Sequence, residues 1–250
     1  MRLAGAAAAF LFFSAVPGIS QANEEPDAAA KAILQRADEI RFPSTGFEVA
    51  VRIRSIEAGG TPEVREFKVL SKGNENTIVL TTAPAAERGQ ILLMKARDLW
   101  LFVPNVSQPV RLSLSQRLTG VVSNGDIARA NFSGDYTPKV VGSETIEGQA
   151  YHVLELTAID RSVTYQKVKY WVKQAGNAPL KAEFYSLSGR LLKTCSYEDY
   201  KQLGGKVRPT KLVMVDALKE DTRSFMDYED MKSRDLPDKV FTKEYLKKLE

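Results

Sequence analysis

The side chains able to do covalent or acid–base chemistry are few and scattered. His152 is the only histidine and Cys195 the only cysteine among 250 residues. A Ser-His-Asp triad would have to run through His152, yet no Gly-x-Ser-x-Gly nucleophile motif is present. His152 sits in "AYHVLEL", whose alternation is that of a strand, and reads as a strand residue. Zinc requires several His or Cys ligands, and one of each, far apart in sequence, does not supply them. Carboxylates are plentiful, and a glycosidase needs only two, but the sequence singles out no pair. Glu229 and Asp230 are adjacent, so on a strand they point to opposite faces. Asp126 and Asp135 flank a short helical pattern, where capping and turn roles account for them. Gly204-Gly205-Lys206 lacks the rest of a phosphate loop and reads as a hairpin turn. These residues predict that the protein is not an enzyme. Cys195 reads as a small strand side chain, and with one cysteine no internal disulfide can form.

The formal charge is +4, from 35 basic and 31 acidic residues. The two signs alternate along the chain instead of forming a basic block interleaved with aromatics, so nucleic-acid binding is not expected. What does stand out is apolar surface. In "DLWLFVPNVSQPVRLSLSQRLTG", residues 98–120, an apolar run stops at Pro104 and resumes as strict alternation through Val110, Leu112 and Leu114.

The elements that would place this surface begin after an export signal. Arg2, the apolar run Ala6 to Val16, the break at Pro17-Gly18 and Ser20-Gln21-Ala22 predict a signal peptide over residues 1–22, cleaved after Ala22. The run is shorter than the roughly 20 residues of a membrane span. Residues 26–41 predict a helix with Ile33, Ala37 and Ile40 on one face and Leu34 beside it; Pro26 suits its start and Pro43 its end. "GFEVAVRIRS" alternates cleanly, Phe47, Val49, Val51 and Ile53 against Glu48, Arg52 and Arg54. Further strands follow to about residue 103 as a meander. Residues 113–132 break the pattern with two short helical candidates, the second capped by Asn124-Gly125-Asp126. Hairpins then resume to about residue 233, and Thr242 caps a closing helix. About eleven strands result, in one domain over residues 23–250. Its edges must be closed or covered, which predicts a barrel or a half-barrel plugged by the insertion at 113–132.

A partly curled sheet has a concave face. Its candidate lining is Phe47, Val49, Val51, Ile53, Phe67, Val69, Leu92, Met94, Leu99, Leu101 and Val103, with Leu114, Leu118, Ile127 and Phe132 offered by the insertion as a lid. An ordinary filled core uses the same alternation, so the pattern alone leaves open whether these residues meet one another or leave a cavity. It also leaves open which face of the strand Leu99–Val103 points inward.

"ILLMKARDLWLFVPNVSQPVRLSLSQRLTG" followed by "VVSNGDIARANFSGDY" resembles the longer members of the outer-membrane lipoprotein-sorting, or LolA-like, family. Three features carry it: the Leu99–Pro104 strand, "RLSLSQRLTG" and the "NGD" helix start. The order of signal peptide, helix, meander, insertion, hairpins and short closing helix matches as well. The resemblance implies a mainly β fold with a few helices, a half-open antiparallel β-barrel with a helical lid. It implies a cavity for the acyl chains of a lipoprotein or lipid, and a periplasmic carrier moving that cargo from inner to outer membrane of a Gram-negative bacterium. Its partners would be an inner-membrane exporter and an outer-membrane acceptor, with no cofactor and a monomeric state. A periplasmic lipid- or lipoprotein-sensing module without a transport role is the alternative. In one respect the chain departs: the shorter founders hold the lid by an arginine in an Arg-Pro-Asn-type strand start, where this chain reads "TTAPAAERGQILL" and offers Arg88.

Overall fold

The computed structural model describes residues 27–219 and 221–246; the expected signal peptide lies outside the described residues. The chain enters through helix α1 (Ala28–Arg41), capped by Asp27, whose carboxylate accepts from the N–H groups of Ala29 and Ala30 at 3.0 and 3.3 Å. It ends before Pro43. Its buried stripe is Ala30, Ile33, Leu34, Ala37, Asp38 and Arg41, a 3.6-residue period. Ile40, expected on that stripe, is only half-buried, and two charged residues occupy its last turn instead.

Five strands follow as a meander: β1 (Phe47–Ile56), β2 (Glu63–Lys72), β3 (Asn76–Ala83), β4 (Ile91–Lys95) and β5 (Asp98–Phe102). Three short pieces come next, β6 (Val110–Leu112), β7 (Arg117–Thr119) and β8 (Val122–Ser123), then helix α2 (Asn124–Ala128). Hairpins complete the β-structure: β9 (Tyr136–Ile146), β10 (Gln149–Ala158), β11 (Lys167–Lys173), β12 (Pro179–Tyr185), β13 (Leu191–Leu203), β14 (Lys206–Asp216) and β15 (Arg223–Ser233). A 3-10 turn (Asp238–Phe241) and helix α3 (Lys243–Leu246) end the described chain, with Thr242 between them accepting at its carbonyl from Tyr245 and Leu246.

Thirteen strands form one antiparallel sheet in the order β6-β5-β4-β3-β2-β1-β15-β14-β13-β12-β11-β10-β9, while β7 and β8 pair by themselves. The sheet is not closed: β6 and β9 are its two edges. The described strands thus number fifteen, where about eleven were expected, and most of the excess lies in the short pieces β6 to β8. The insertion is less helical than its sequence reads. Its first half is a turn and the β7–β8 ribbon, in which Gly120 at φ +50° reverses the chain. The second helix is capped by Ser123 rather than by Asn124-Gly125-Asp126: Asp126 lies inside it and accepts from the Ser123 N–H at 2.7 Å.

The sheet is apolar on both sides in its first half. Leu236, Val240, Phe241 and Leu246 cover the convex side of β2–β4 against Leu70, Ile78, Ile91 and Leu93. This is why β4 reads as the unbroken run Ile-Leu-Leu-Met: both of its faces are buried.

Candidate functional site

The concave face is built by register. Val49, Val69, Val79, Leu92 and Leu101 stand directly opposite one another across β1 to β5 and make one continuous apolar row. A parallel row runs Phe47, Ser71, Thr77, Met94 and Leu99. Leu99 and Leu101 therefore face inward, and Phe102 faces the convex cluster formed with the C-terminal segment. The face left open by the sequence is thus fixed by pairing with β4.

Helix α1 occupies the other half of the concavity, in contact with β9, β12 and β14. Residues 113–132 cover the half beneath β1–β5. Leu114, Val122, Ile127, Ala128 and Phe132 are buried in the same cluster as the concave rows, with Leu118 partly buried at its margin. Phe47, Val49, Val51 and Val69 meet Ile127 and Ala128 across a cavity of about 20 Å³, room for about one water. Ile53, Phe67, Leu92, Met94 and Leu99 are buried in the same cluster, and Leu101 packs against it. Val103, also expected in the lining, lies just beyond the end of β5 at Phe102, half-buried and outside that cluster.

Polar contacts hold the insertion down along its length. At its turn, Gly120 approaches so closely that a Cβ there would stand 2.2 Å from Ser55 Oγ and 2.4 Å from Ser224 Oγ. Those two hydroxyls bond each other at 2.9 Å, and Ser224 accepts from the Val121 N–H at 3.0 Å. Beneath α2, Lys193 Nζ donates to Asp126 at 2.5 Å and to the Val121 carbonyl at 2.9 Å; Tyr165 donates to Asp126 at 3.0 Å. After α2, Arg129 pairs with Asp135 and donates to the Asn74 and Ala96 carbonyls. At the far end, the Phe132 and Ser133 N–H groups donate to Asp38 of α1 at 3.1 and 2.7 Å.

Asp38 is buried with Arg41, the two charges 3.6 Å apart. Burial pushes the Asp38 carboxyl above its ordinary value, opposed by Arg41 and by the donors from Ser133 and Phe132. Arg41 lies between two rings, 4.5 Å from Phe132 and 5.2 Å from Tyr197. The network is a set of buried ion pairs closing an apolar chamber. Among the described residues no group of three or more His, Cys, Asp or Glu is placed to hold a metal ion.

Over 86% of its length the chain is 61% identical to the LolA superfamily protein NE2245 from Nitrosomonas europaea, covering 98% of that chain with a TM-score of 0.83. The chain belongs to the LolA superfamily. The open antiparallel sheet with its covering insertion is the LolA-like open barrel. The same fold recurs in a putative outer membrane lipoprotein-sorting protein domain from Vibrio parahaemolyticus, 22% identical, covering 88% of this chain and 98% of that one at a TM-score of 0.75. It recurs in a DUF1329 family protein from Desulfovibrio piger, 22% identical over 89% of this chain and 99% of that one, also at 0.75. A family model described as an uncharacterized protein matches residues 73–248. No curated protein matches the chain.

In this LolA superfamily member the expected lid-holding arginine does not act as such. Arg88 is exposed and donates to the Thr82 carbonyl within its own turn at 3.0 Å. Arg129, within the insertion itself, Arg65, which reaches the Leu118 carbonyl at 3.4 Å, and Arg41, which stacks on Phe132, make arginine contacts with the lid. Sequence reading missed Asp38, Arg41, Arg129 and Lys193. For the first two a signal existed: they continue the α1 stripe Ala30, Leu34, Ala37 at helical spacing. His152 is half-buried in β10, opposite Ser143 and Val172. Cys195 is buried in β13, and burial pushes its thiol up to about 12, so it is neither a thiolate nor a nucleophile at neutral pH.

Proposed function

We propose that the protein is a periplasmic carrier that takes acyl chains of a lipoprotein or lipid between the concave sheet and the 113–132 lid and moves them from inner to outer membrane. One observation carries this reading. The concave rows of β1–β5 are covered by a separate apolar insertion, seated by polar side-chain and backbone contacts on an unclosed sheet, not by residues of the sheet itself. An acyl chain can replace the lid's Ile127 and Ala128 on those rows without breaking any strand pairing. The candidate lining is Phe47, Val49, Val51, Ile53, Phe67, Val69, Leu92, Met94, Leu99 and Leu101. Superfamily membership supports the choice of cargo class and of compartment, and no helix among the described residues is long and apolar enough to cross a membrane.

The energetics fit a carrier. Each buried methylene contributes about 0.8 kcal/mol, so a chain of about 16 carbons gains roughly 13 kcal/mol gross on leaving water. A chain already in a bilayer has that gain, so the protein needs only to match the membrane. A closed state filled by the lid's own side chains helps release, because the returning lid competes for the same surface. An inner-membrane exporter would load this state and an outer-membrane acceptor would empty it.

The test is lipid mass spectrometry on the protein purified from its native periplasm, together with exchange of fluorescent acyl probes. Co-purifying acylated cargo and probe uptake are expected. Clean protein that exchanges no probe would overturn the carrier reading.

A further inference from the structure

We propose that Arg41 and Tyr170 form an oxyanion site inside the concave chamber, which takes the carboxylate or phosphate oxygens of an acidic acyl lipid. This rests on the acyl-chain reading above and assigns the other end of the same ligand. Arg41 is 6% exposed, and its Nε and Nη1 have no hydrogen-bond acceptor. The Asp38 carboxylate, at 3.6 Å, is an ion-pair neighbour beyond hydrogen-bond reach. Tyr170 is fully buried, and its hydroxyl also lacks a partner. The two groups share their neighbours: Phe132 lies 4.5 Å from the guanidinium and 5.2 Å from the Tyr170 ring, and Tyr197 lies 5.2 and 5.9 Å from them.

Buried donors without acceptors are rare and costly, and a guanidinium cannot escape by losing its proton. Burial raises the Tyr170 phenol well above its ordinary value, so it remains an O–H donor. The other buried cations have partners: Arg129 pairs with Asp135, Lys193 with Asp126, and Arg208 donates to the Leu203, Glu39 and Ile40 carbonyls. Asp38 only partly matches Arg41, since burial favours its protonated form. The buried donors without a partner among the described residues are therefore the Arg41 guanidinium and the hydroxyls of Tyr170 and Ser133; the first two, a fixed positive charge and a neutral O–H, are complementary to an oxyanion. With the lid seated, the space beside Arg41, Phe132 and Tyr197 is about 20 Å³, room for about a water and no more. Phe132 caps the guanidinium and its own N–H is held by Asp38. Withdrawal of the lid from Asp38 thus uncovers Arg41 at the moment the apolar rows become free, so chain and headgroup sites open together.

Competition against a fluorescent acyl probe tests this with the mature chain. The ligand pairs are oleic acid with methyl oleate, and dioleoylphosphatidic acid with dioleoylglycerol. Wild type is expected to prefer an acidic member by about tenfold or more, as a charged hydrogen bond implies. Arg41→Met should bring the pair within about twofold while neutral binding persists, and Tyr170→Phe should cut the preference severalfold. The responsive pair identifies the source, carboxylate or phosphate. Equal affinities in wild type, as when a buried water is the only partner, overturn the oxyanion site and leave the acyl reading standing. Failure of all four ligands to bind overturns both. If Arg41→Met does not fold, Arg41→Lys and Tyr170→Phe carry the test, and a preference unchanged in both overturns the proposal.

Discussion

At the scale of single residues, the unusual feature is charge placed where apolar side chains would serve. Asp38 accepts two backbone donors from the lid end while burial resists its ionisation. Because its folded pKa is raised above 3.8, the folded state holds a proton that the unfolded state releases first. Its stabilisation is fully present below the unfolded midpoint and is lost as pH rises through the folded one. The Asp38→Asn variant cannot titrate. Urea unfolding of both proteins across the acidic to neutral range should show the stability of wild type, measured relative to the variant, falling as pH rises and then levelling. The fall is about 1.4 kcal/mol for each pH unit between the two midpoints. A difference that stays flat, or grows with pH, would mean that Asp38 ionises freely under the lid. Only part of this was legible from sequence. Spacing places Asp38 and Arg41 on the α1 stripe, but residue type argues for solvent, and nothing local says that β9–β14 curls around that helix.

At the scale of elements, legibility depends on how many faces a segment buries. The clean alternation of β1 follows from one buried face and one solvated face, and its inward set, Phe47, Val49, Val51 and Ile53, is readable directly. The run at β4 and β5 is not, since both faces are covered and only cross-strand register separates Leu99 from Trp100. The lid is harder again. Its shape comes from contacts with β1, β15 and α1 rather than from propensity, so a helical reading of residues 113–120 gave way to a ribbon. Gly120 is the residue that makes the ribbon possible. Gly120→Ala combines an unfavourable φ of +50° with a Cβ inside contact distance of Ser55 and Ser224. The left-handed conformation alone costs about 1–2 kcal/mol, and the clash adds to it. The lid turn should lift. Hydrogen exchange is expected to accelerate at residues 117–128 by tenfold or more, with the β10–β14 amides unchanged. Uniform acceleration across the sheet would show that lid and sheet unfold as one unit.

At the scale of the whole molecule, the sheet is left unclosed, and an unclosed sheet has two edges able to recruit a second copy. Both are blunted in sequence. β6 is three residues long, with Arg111 at its centre paired to Asp98. β9 is long but interrupted: Pro138 has no N–H to offer, and the register shifts between Val153 and Leu154 opposite its Gly142. Proline and a bulge are devices that spoil edge pairing. The exposed half of β9 also presents a Val141 that is 49% exposed, so removing the devices leaves an apolar, extended edge. Light scattering after size exclusion should find wild type monomeric and a Pro138→Val/Gly142→Val double variant shifted toward dimer as concentration rises. Cross-linking would then place β9 against β9. A variant that stays monomeric at high concentration would show that the edge is protected by its charged side chains and not by its backbone. A wild type already dimeric through β9 would mean that this edge is an assembly surface, and that the open sheet is completed by a second copy instead of by the lid alone.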